Sequence, residues 1–430
     1  MSQVTAPRTL PSSPSSLAAL GIAESIVEDI LLQRLVLDGR SSVTQLAKAC
    51  ALSIAVVDGV VDAMRQRILL EIQGMDGRDY VLVPTEKGKQ EAASRARTMS
   101  YTGPVPVSLE DYTAMVLSQQ VRPEITAPTL RMAFNDLVIS DELFSRLGPA
   151  LVSDGALFLY GPPGTGKTSL VERLPKMYAD SVLIPRAVEA QRQLVMVFDP
   201  ALHEPVVPQP DNLDARWVLC ERPCIIVGGE LTTNQLELQA DAHTGVSLGP
   251  LQMRANNGIL VVDDFGRQRV TPDVVLNRWI VPMSRGVDFL NLSGGANITN
   301  PFDVKLVFST NMRPEQLGDD AFLRRIPNKV FVGPITPHAF DQILASVCRG
   351  FGIACNQDAA DYMKKTVIER SGMELRPYYP ADFAKTLRSI CAFEGEPMIF
   401  SVASIDKVAE TYFTRDDTGI WATAVNTLAA

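Results

Sequence analysis

The sequence predicts an α/β protein with a parallel sheet at its centre, a small α+β module at the N-terminus and a helical region at the C-terminus. Three observations carry that prediction. The apolar segment Leu157-Phe158-Leu159-Tyr160 runs straight into the glycine-rich stretch Gly161-Pro162-Pro163-Gly164-Thr165-Gly166-Lys167-Thr168-Ser169. A second apolar segment, Gly258-Ile259-Leu260-Val261-Val262, ends in Asp263 and Asp264, and a third, Leu306-Val307-Phe308, ends in Ser309-Thr310-Asn311. Continuous hydrophobic runs suit strands buried on both faces of a parallel sheet, and ligands collect at the carboxyl ends of such strands.

In chain order, residues 1–20 are rich in Ser and Pro and read as a disordered arm. Residues 21–100 form the α+β module. Ile26, Ile30, Leu31 and Leu35, then Val43, Leu46 and Ala47, then Ile54, Val57, Val60, Val61 and Met64 recur at helical spacing. The runs Ile68–Ile72 and Tyr80–Val83, joined through Gly74-Met75-Asp76-Gly77, read as a hairpin, closed by a charged helix from Thr85. Three helices and a hairpin resemble a winged-helix domain, many of which lay the third helix in the DNA major groove. Here that helix carries Asp58 and Asp62 beside Arg65 and Arg67, and residues 1–100 hold eleven basic against eleven acidic side chains. Without an excess of positive charge, protein binding is the favoured role and DNA binding the alternative.

The stretch Ser100–Pro106 reads as a stiff connector into a core spanning 101–335, with helical patterns at 108–120 and 129–147. Within the core, 181–219 contains Val195-Met196-Val197-Phe198 and the Pro-rich piece Glu204–Pro210, read as an inserted hairpin and loop. Over 336–430, helical patterns at 337–350, 357–371, 380–393 and 402–413 predict a helical lid, with Phe340, Ile343, Leu344 and Val347 in its core. The residues from about Asp416 onward read as frayed or partner-dependent.

Composition narrows the class. Of the 430 residues, 46% are hydrophobic and 21% charged, the balance of a globular protein with a sizeable core. No apolar run is long enough to cross a bilayer and no basic-then-apolar leader opens the chain, which predicts a cytoplasmic protein without membrane insertion. The six cysteines show no C-x-x-C spacing and the three histidines lie far apart, so neither a disulfide framework nor a His or Cys metal centre is expected. A net charge of −9 argues against a nucleic-acid coat.

The glycine-rich stretch carries the chemistry. Its glycines let the backbone curl so that several N–H groups converge on phosphates, at the positive N-terminus of the helix that follows. Lys167 is placed to reach the β- and γ-phosphates of a nucleoside triphosphate, and the Thr168 hydroxyl to hold Mg²⁺. Asp263 is placed to orient the metal and Asp264 to polarise the attacking water. Asn311 can offer its amide to the γ-phosphate or the water. Next comes Asp319–Pro327, read as a short helix ending in Arg324 and Arg325. An arginine supplied by a neighbouring subunit can neutralise charge developing on the transferred phosphoryl; a surface ion pair with Asp319 or Asp320 is the alternative.

Taken in order, these four elements resemble the AAA+ ATPases. The stretch Gly249–Asp264 and Ala321-Phe322-Leu323-Arg324-Arg325-Ile326 are similar to the MoxR-type branch, which carries a β-hairpin before the sensor strand; Arg285–Leu292 and Ala296–Ile298 around Ser293-Gly294-Gly295 match that hairpin. The resemblance covers roughly residues 125–400. It implies a five-stranded parallel sheet, ATP and Mg²⁺ as ligands, Asn311 as first sensor, Arg325 as the finger acting across subunits with Arg324 as adjacent candidate, and a homo-oligomeric ring, usually a hexamer.

Three departures qualify it. Asp264 stands where glutamate is commoner, one methylene shorter. Ala381 occupies the place of a second sensor arginine at the start of a lid helix, leaving Arg376 in the preceding turn as substitute, or as an exposed helix-start residue. The stretch between the phosphate loop and the acidic strand is long, and no Phe, Tyr or Trp occurs between Gly228 and Gly258, where peptide-threading relatives place a gripping aromatic. The sequence therefore predicts an ATP-hydrolysing machine that remodels a protein client held by the N-terminal module. A DNA-associated ATPase and a nucleotide-controlled scaffold are the alternatives.

Overall fold

The computed structural model describes residues 10–120, 125–178, 180–317 and 323–413. The N-terminal module follows the sequence closely. Helices α1 (Glu24–Asp38), α2 (Val43–Cys50) and α3 (Ile54–Gln66) are followed by the antiparallel hairpin Leu70–Asp76 and Asp79–Pro84, and by α4 (Glu86–Ala96). The pair Ser41–Ser42 adds a third strand to the hairpin, giving an α+β unit with a three-stranded sheet. Local chemistry sets the boundaries: Ser42 and Gln45 form a reciprocal capping box on α2, and the Thr85 side chain accepts from the Gly88 N–H to start α4.

The central sheet has five parallel strands in the spatial order Cys224–Val227, Gly258–Val262, Val304–Thr310, Leu157–Tyr160 and Asn328–Phe331. Both faces are covered, which explains the unbroken hydrophobic runs. Phe158, Leu260, Val262, Leu306 and Phe308 point into one buried cluster with Trp279, whereas Leu157, Leu159, Ile259, Val261 and Val307 point into another with Leu147 and Leu170. This is the P-loop α/β core that the sequence predicts.

The insertion is larger than one hairpin and a loop. Ala187–Ala190 and Gln193–Met196 do pair as a hairpin, but they are the middle of a second five-stranded sheet that recruits Val107–Ser108 on one side and Ser247–Leu248 and Gln239–Ala240 on the other. Ser181–Pro185 and Trp217–Glu221 form a separate antiparallel ribbon. The predicted hairpin around Ser293-Gly294-Gly295 is present as Val287–Asn291 paired with Asn297–Pro301. Its residues Leu290, Leu292 and Ile298 share a buried cluster with Val188 and Val195 of the inserted sheet.

The connector and arm also differ from a tethered reading. Leu194 of the inserted sheet and Val246, just before its strand Ser247–Leu248, lie in the same buried cluster as Ile30, Leu35 and Val57 of the module. The Ser100 N–H donates to the Thr244 carbonyl and the Val105 N–H to the Cys50 carbonyl. Gly245 makes the approach possible: at φ +66 it lies so close to the Thr98 carbonyl that a Cβ would sit 1.9 Å from that oxygen. Of the predicted arm, residues 1–9 lie outside the described residues. Beyond them the Pro11 carbonyl accepts from the Asp214 N–H and the Pro14 carbonyl from the Ser53 hydroxyl.

The helical pattern at 129–147 resolves into two helices, α6 (Ala127–Ala133) and α7 (Asp141–Val152), after α5 (Leu109–Ser118). Thr126 and Ser140 each cap a new start, and α6 ends at Ala133 with Phe134 at its C-cap. The short α8 (Lys167–Val171) follows the glycine-rich loop, then α9 (Leu251–Arg254) and α10 (Pro272–Arg285) complete the core. The C-terminal region contains α11 (Pro337–Phe351), α12 (Gln357–Ser371), α13 (Tyr379–Glu394) and α14 (Val402–Tyr412), packed around Phe340, Met363, Phe383 and Ile405. No described helix is long and apolar enough to cross a membrane.

Candidate nucleotide site

The loop between Tyr160 and α8 is built on positive-φ glycines, Gly161 (φ +153), Gly164 (φ +76) and Gly166 (φ +92), the last of which is the N-cap of the helix. A side chain at Gly161 would strike the Val332 carbonyl and one at Gly164 the Tyr378 ring, so these positions need glycine for space as well as for conformation. The Thr165 hydroxyl closes the curl by donating to the Pro162 carbonyl at 3.0 Å. Pro163 and Gly164 are exposed at the crest, and Ser169 lies one residue further along α8 than Thr168.

Three strands deliver the remaining groups. Lys167 is buried, and its Nζ donates to the carbonyls of Gly161 (2.9 Å) and Pro162 (2.9 Å) and to Oδ1 of Asn311 (2.8 Å), which engages all three ammonium hydrogens. Burial lowers the Lys167 pKa below its ordinary value; the charges of Asp263 and Asp264 oppose that shift and Arg376 adds to it. Asn311 turns its other amide atom, Nδ2, to Asp264 Oδ1 at 3.0 Å. This is the amide orientation in which both the lysine and the carboxylate contacts are favourable. At the same sheet edge the Thr168 hydroxyl donates to Asp263 Oδ2 at 2.8 Å. A hydroxyl and a carboxylate held together are hard oxygen donors, the set that suits Mg²⁺.

The acidic turn is strained. Asp264 has φ +48, a region that costs a non-glycine residue on the order of 1–3 kcal/mol. Several bonds hold it: the Asp264 N–H donates to Asp263 Oδ1, the Phe265 N–H to the Ser309 carbonyl, and the Thr310 hydroxyl to the Phe265 carbonyl. Gln268 spans the turn, accepting from the Gly266 N–H (2.8 Å) and donating to the carbonyls of Asp263 (2.9 Å) and Asp264 (3.2 Å). Sequence reasoning missed Gln268; a polar residue four positions after the second acid was its only signal.

From the C-terminal region, Arg376 sits in the turn before α13 and donates to the Pro163 carbonyl at 2.6 Å, while its buried Nε makes no hydrogen bond among the described residues. Ala381 lies in the first turn of α13. The hydrogen bonds thus join Lys167, Thr168, Asp263, Asp264 and Asn311 into one site that Arg376 borders. Arg324 and Arg325 stand in the exposed turn before the strand Asn328–Phe331. Of the predicted helix at 319–327, residues 319–322 lie outside the described residues.

Comparison with known proteins adds the following. Residues 336–411, which hold the four C-terminal helices, match the family model of a domain of unknown function (DUF8689). No curated protein matches the sequence. Among solved structures the chain is similar to the RuvB Holliday junction branch migration motor of Thermotoga maritima, at 13% identity and a TM-score of 0.40, covering 66% of this chain and 73% of that one. Two variants of Thermotoga maritima RuvB are similar at 12% and 14% identity, each with a TM-score of 0.39, covering 64% and 66% of this chain and 70% and 72% of theirs.

Proposed function

We propose that the protein is an ATP-binding and ATP-hydrolysing AAA+ ATPase of the MoxR-like kind, which works as a homo-oligomeric, hexameric ring and remodels a protein client recruited by the N-terminal module. One observation carries the reading: Lys167, Asn311 and Asp264 form a continuous hydrogen-bonded line beside the paired Thr168 and Asp263, at the mouth of a positive-φ glycine loop. No simple structural role calls for a buried lysine, a sensor-strand amide and two carboxylates at the carboxyl ends of three strands.

The residues suggest how the work is divided. The loop N–H groups from Gly161 to Thr168 hold the phosphates of ATP. Lys167 exchanges its two neutral carbonyl acceptors for charged phosphate oxygens, a stronger charge-assisted contact. Thr168 and Asp263 would hold Mg²⁺, which would supply charge neutralisation at the phosphates. Asp264 accepts a proton from the attacking water, and Asn311, bonded to both Lys167 and Asp264, senses the γ-phosphate. Arg376 leaves the Pro163 carbonyl for the nucleotide. Arg325, or its neighbour Arg324, reaches the adjacent subunit's site, where it stabilises charge on the transferred phosphoryl.

The exposed Asp58 and Asp62 on α3 favour a protein client over DNA for the module. Arg325→Ala is expected to abolish hydrolysis while retaining ATP binding, and mixing it with Lys167→Ala subunits to restore part of the activity. Failure of any mixture to recover turnover would count against action between subunits.

A further inference from the structure

We infer that Gln268 is a positioning residue for hydrolysis, acting through Asp264; this rests on the role proposed for Asp264. The side chain makes three hydrogen bonds, all to the backbone of one six-residue turn, and in two of them its amide donates to the carbonyls of the very acids whose carboxylates serve the site. The Arg267 N–H closes on the Asp264 carbonyl as well, so that oxygen is held from two directions. The positive φ of Asp264 gives the turn a reason to relax when the clamp is removed. Relaxation would rotate Asp264 away from Asn311, to which it is held by a single contact at 3.0 Å.

Gln268 touches neither Lys167 nor Thr168 by hydrogen bond; its three partners are Gly266, Asp263 and Asp264. Its loss should therefore leave nucleotide binding alone and slow the chemical step. A side chain that serves packing alone would produce no such split, since general destabilisation of the site weakens binding and turnover together.

The test is a double-mutant cycle in the full-length protein, with turnover at saturating ATP and Mg²⁺ and nucleotide affinity measured separately. Gln268→Ala is expected to lower kcat at least about tenfold with the Kd for ATP within about twofold of wild type. Gln268→Glu keeps the length and the acceptor for Gly266 but cannot donate to the two carbonyls; it should lose kcat comparably and serves as the control should the alanine variant fold poorly. Combined with Asp264→Asn, Gln268→Ala should add no further loss, because both changes remove the same function. The inference is overturned if Gln268→Ala leaves kcat unchanged, if kcat and affinity fall together, or if it slows the Asp264→Asn enzyme by its full single-variant factor. Asp264→Asn turning over at the wild-type rate would instead overturn the role proposed for Asp264, and the dependence of Gln268 upon it.

Discussion

The glycine-loop cradle and the inserted sheet are both held by dense hydrogen bonding, yet they are assembled from opposite kinds of information. The cradle takes each working residue from the end of a contiguous apolar run: Gly161 to Thr168 after Tyr160, Asp263 and Asp264 after Val262, Asn311 after Thr310. The inserted sheet takes its strands from three separate segments, and three of the five, Val107–Ser108, Gln239–Ala240 and Ser247–Leu248, are only two residues long. Chemistry concentrated in short motifs is independent of the scaffold that surrounds it. A sheet made of such short pieces exists only because distant segments pack, here onto the N-terminal module through Leu194 and Val246.

The sharpest way to break that comparison is to undock the module from the inserted sheet. Gly245→Val places a branched side chain at φ +66 against the Thr98 carbonyl. Overpacking and a forbidden backbone region together should cost roughly 2–4 kcal/mol of stability, read from denaturant unfolding of the full chain. ATP affinity should stay within about twofold of wild type. A parallel loss of affinity would show that the cradle depends on the distant sheet.

A smaller effect sharpens the boundary between the two regions. Burial pushes the thiols of Cys220, on the inserted ribbon, and Cys224, on the central sheet, up to about 12. At pH 8 roughly one in ten thousand of each would be thiolate, so both should resist alkylation in the native protein. Rapid labelling of Cys220 with Cys224 still protected would mean that the ribbon opens while the central sheet stays closed.

What could be read from the sequence follows the same division. The central strands were legible because burial on both faces leaves unbroken apolar runs, as at Leu157–Leu159 and Ile259–Val262. The C-terminal helices were legible because Phe340 and Leu344, or Phe383 and Leu387, recur at helical spacing over long segments. The two-residue strands offered no period to detect. The break between α6 and α7 was concealed by apolar residues on both sides, since Phe134, Leu137 and Ile139 continue the pattern through the turn. Gln268 was hidden for another reason: its role lies in bonds to backbone carbonyls, which no side-chain pattern records. Which core Leu194 and Val246 join is a tertiary fact that no local pattern records.

The central claim is that the loop from Gly161 to Thr168 binds a nucleoside triphosphate through Lys167. Isothermal titration of the full-length protein with ATP and Mg²⁺, beside the Lys167→Ala variant, tests it most directly. The account predicts saturable uptake by the wild type and at least about a hundredfold weaker binding by the variant, the loss expected when a buried charge-assisted phosphate contact is removed. Absence of heat from the wild type, or equal affinity in the two proteins, would contradict it.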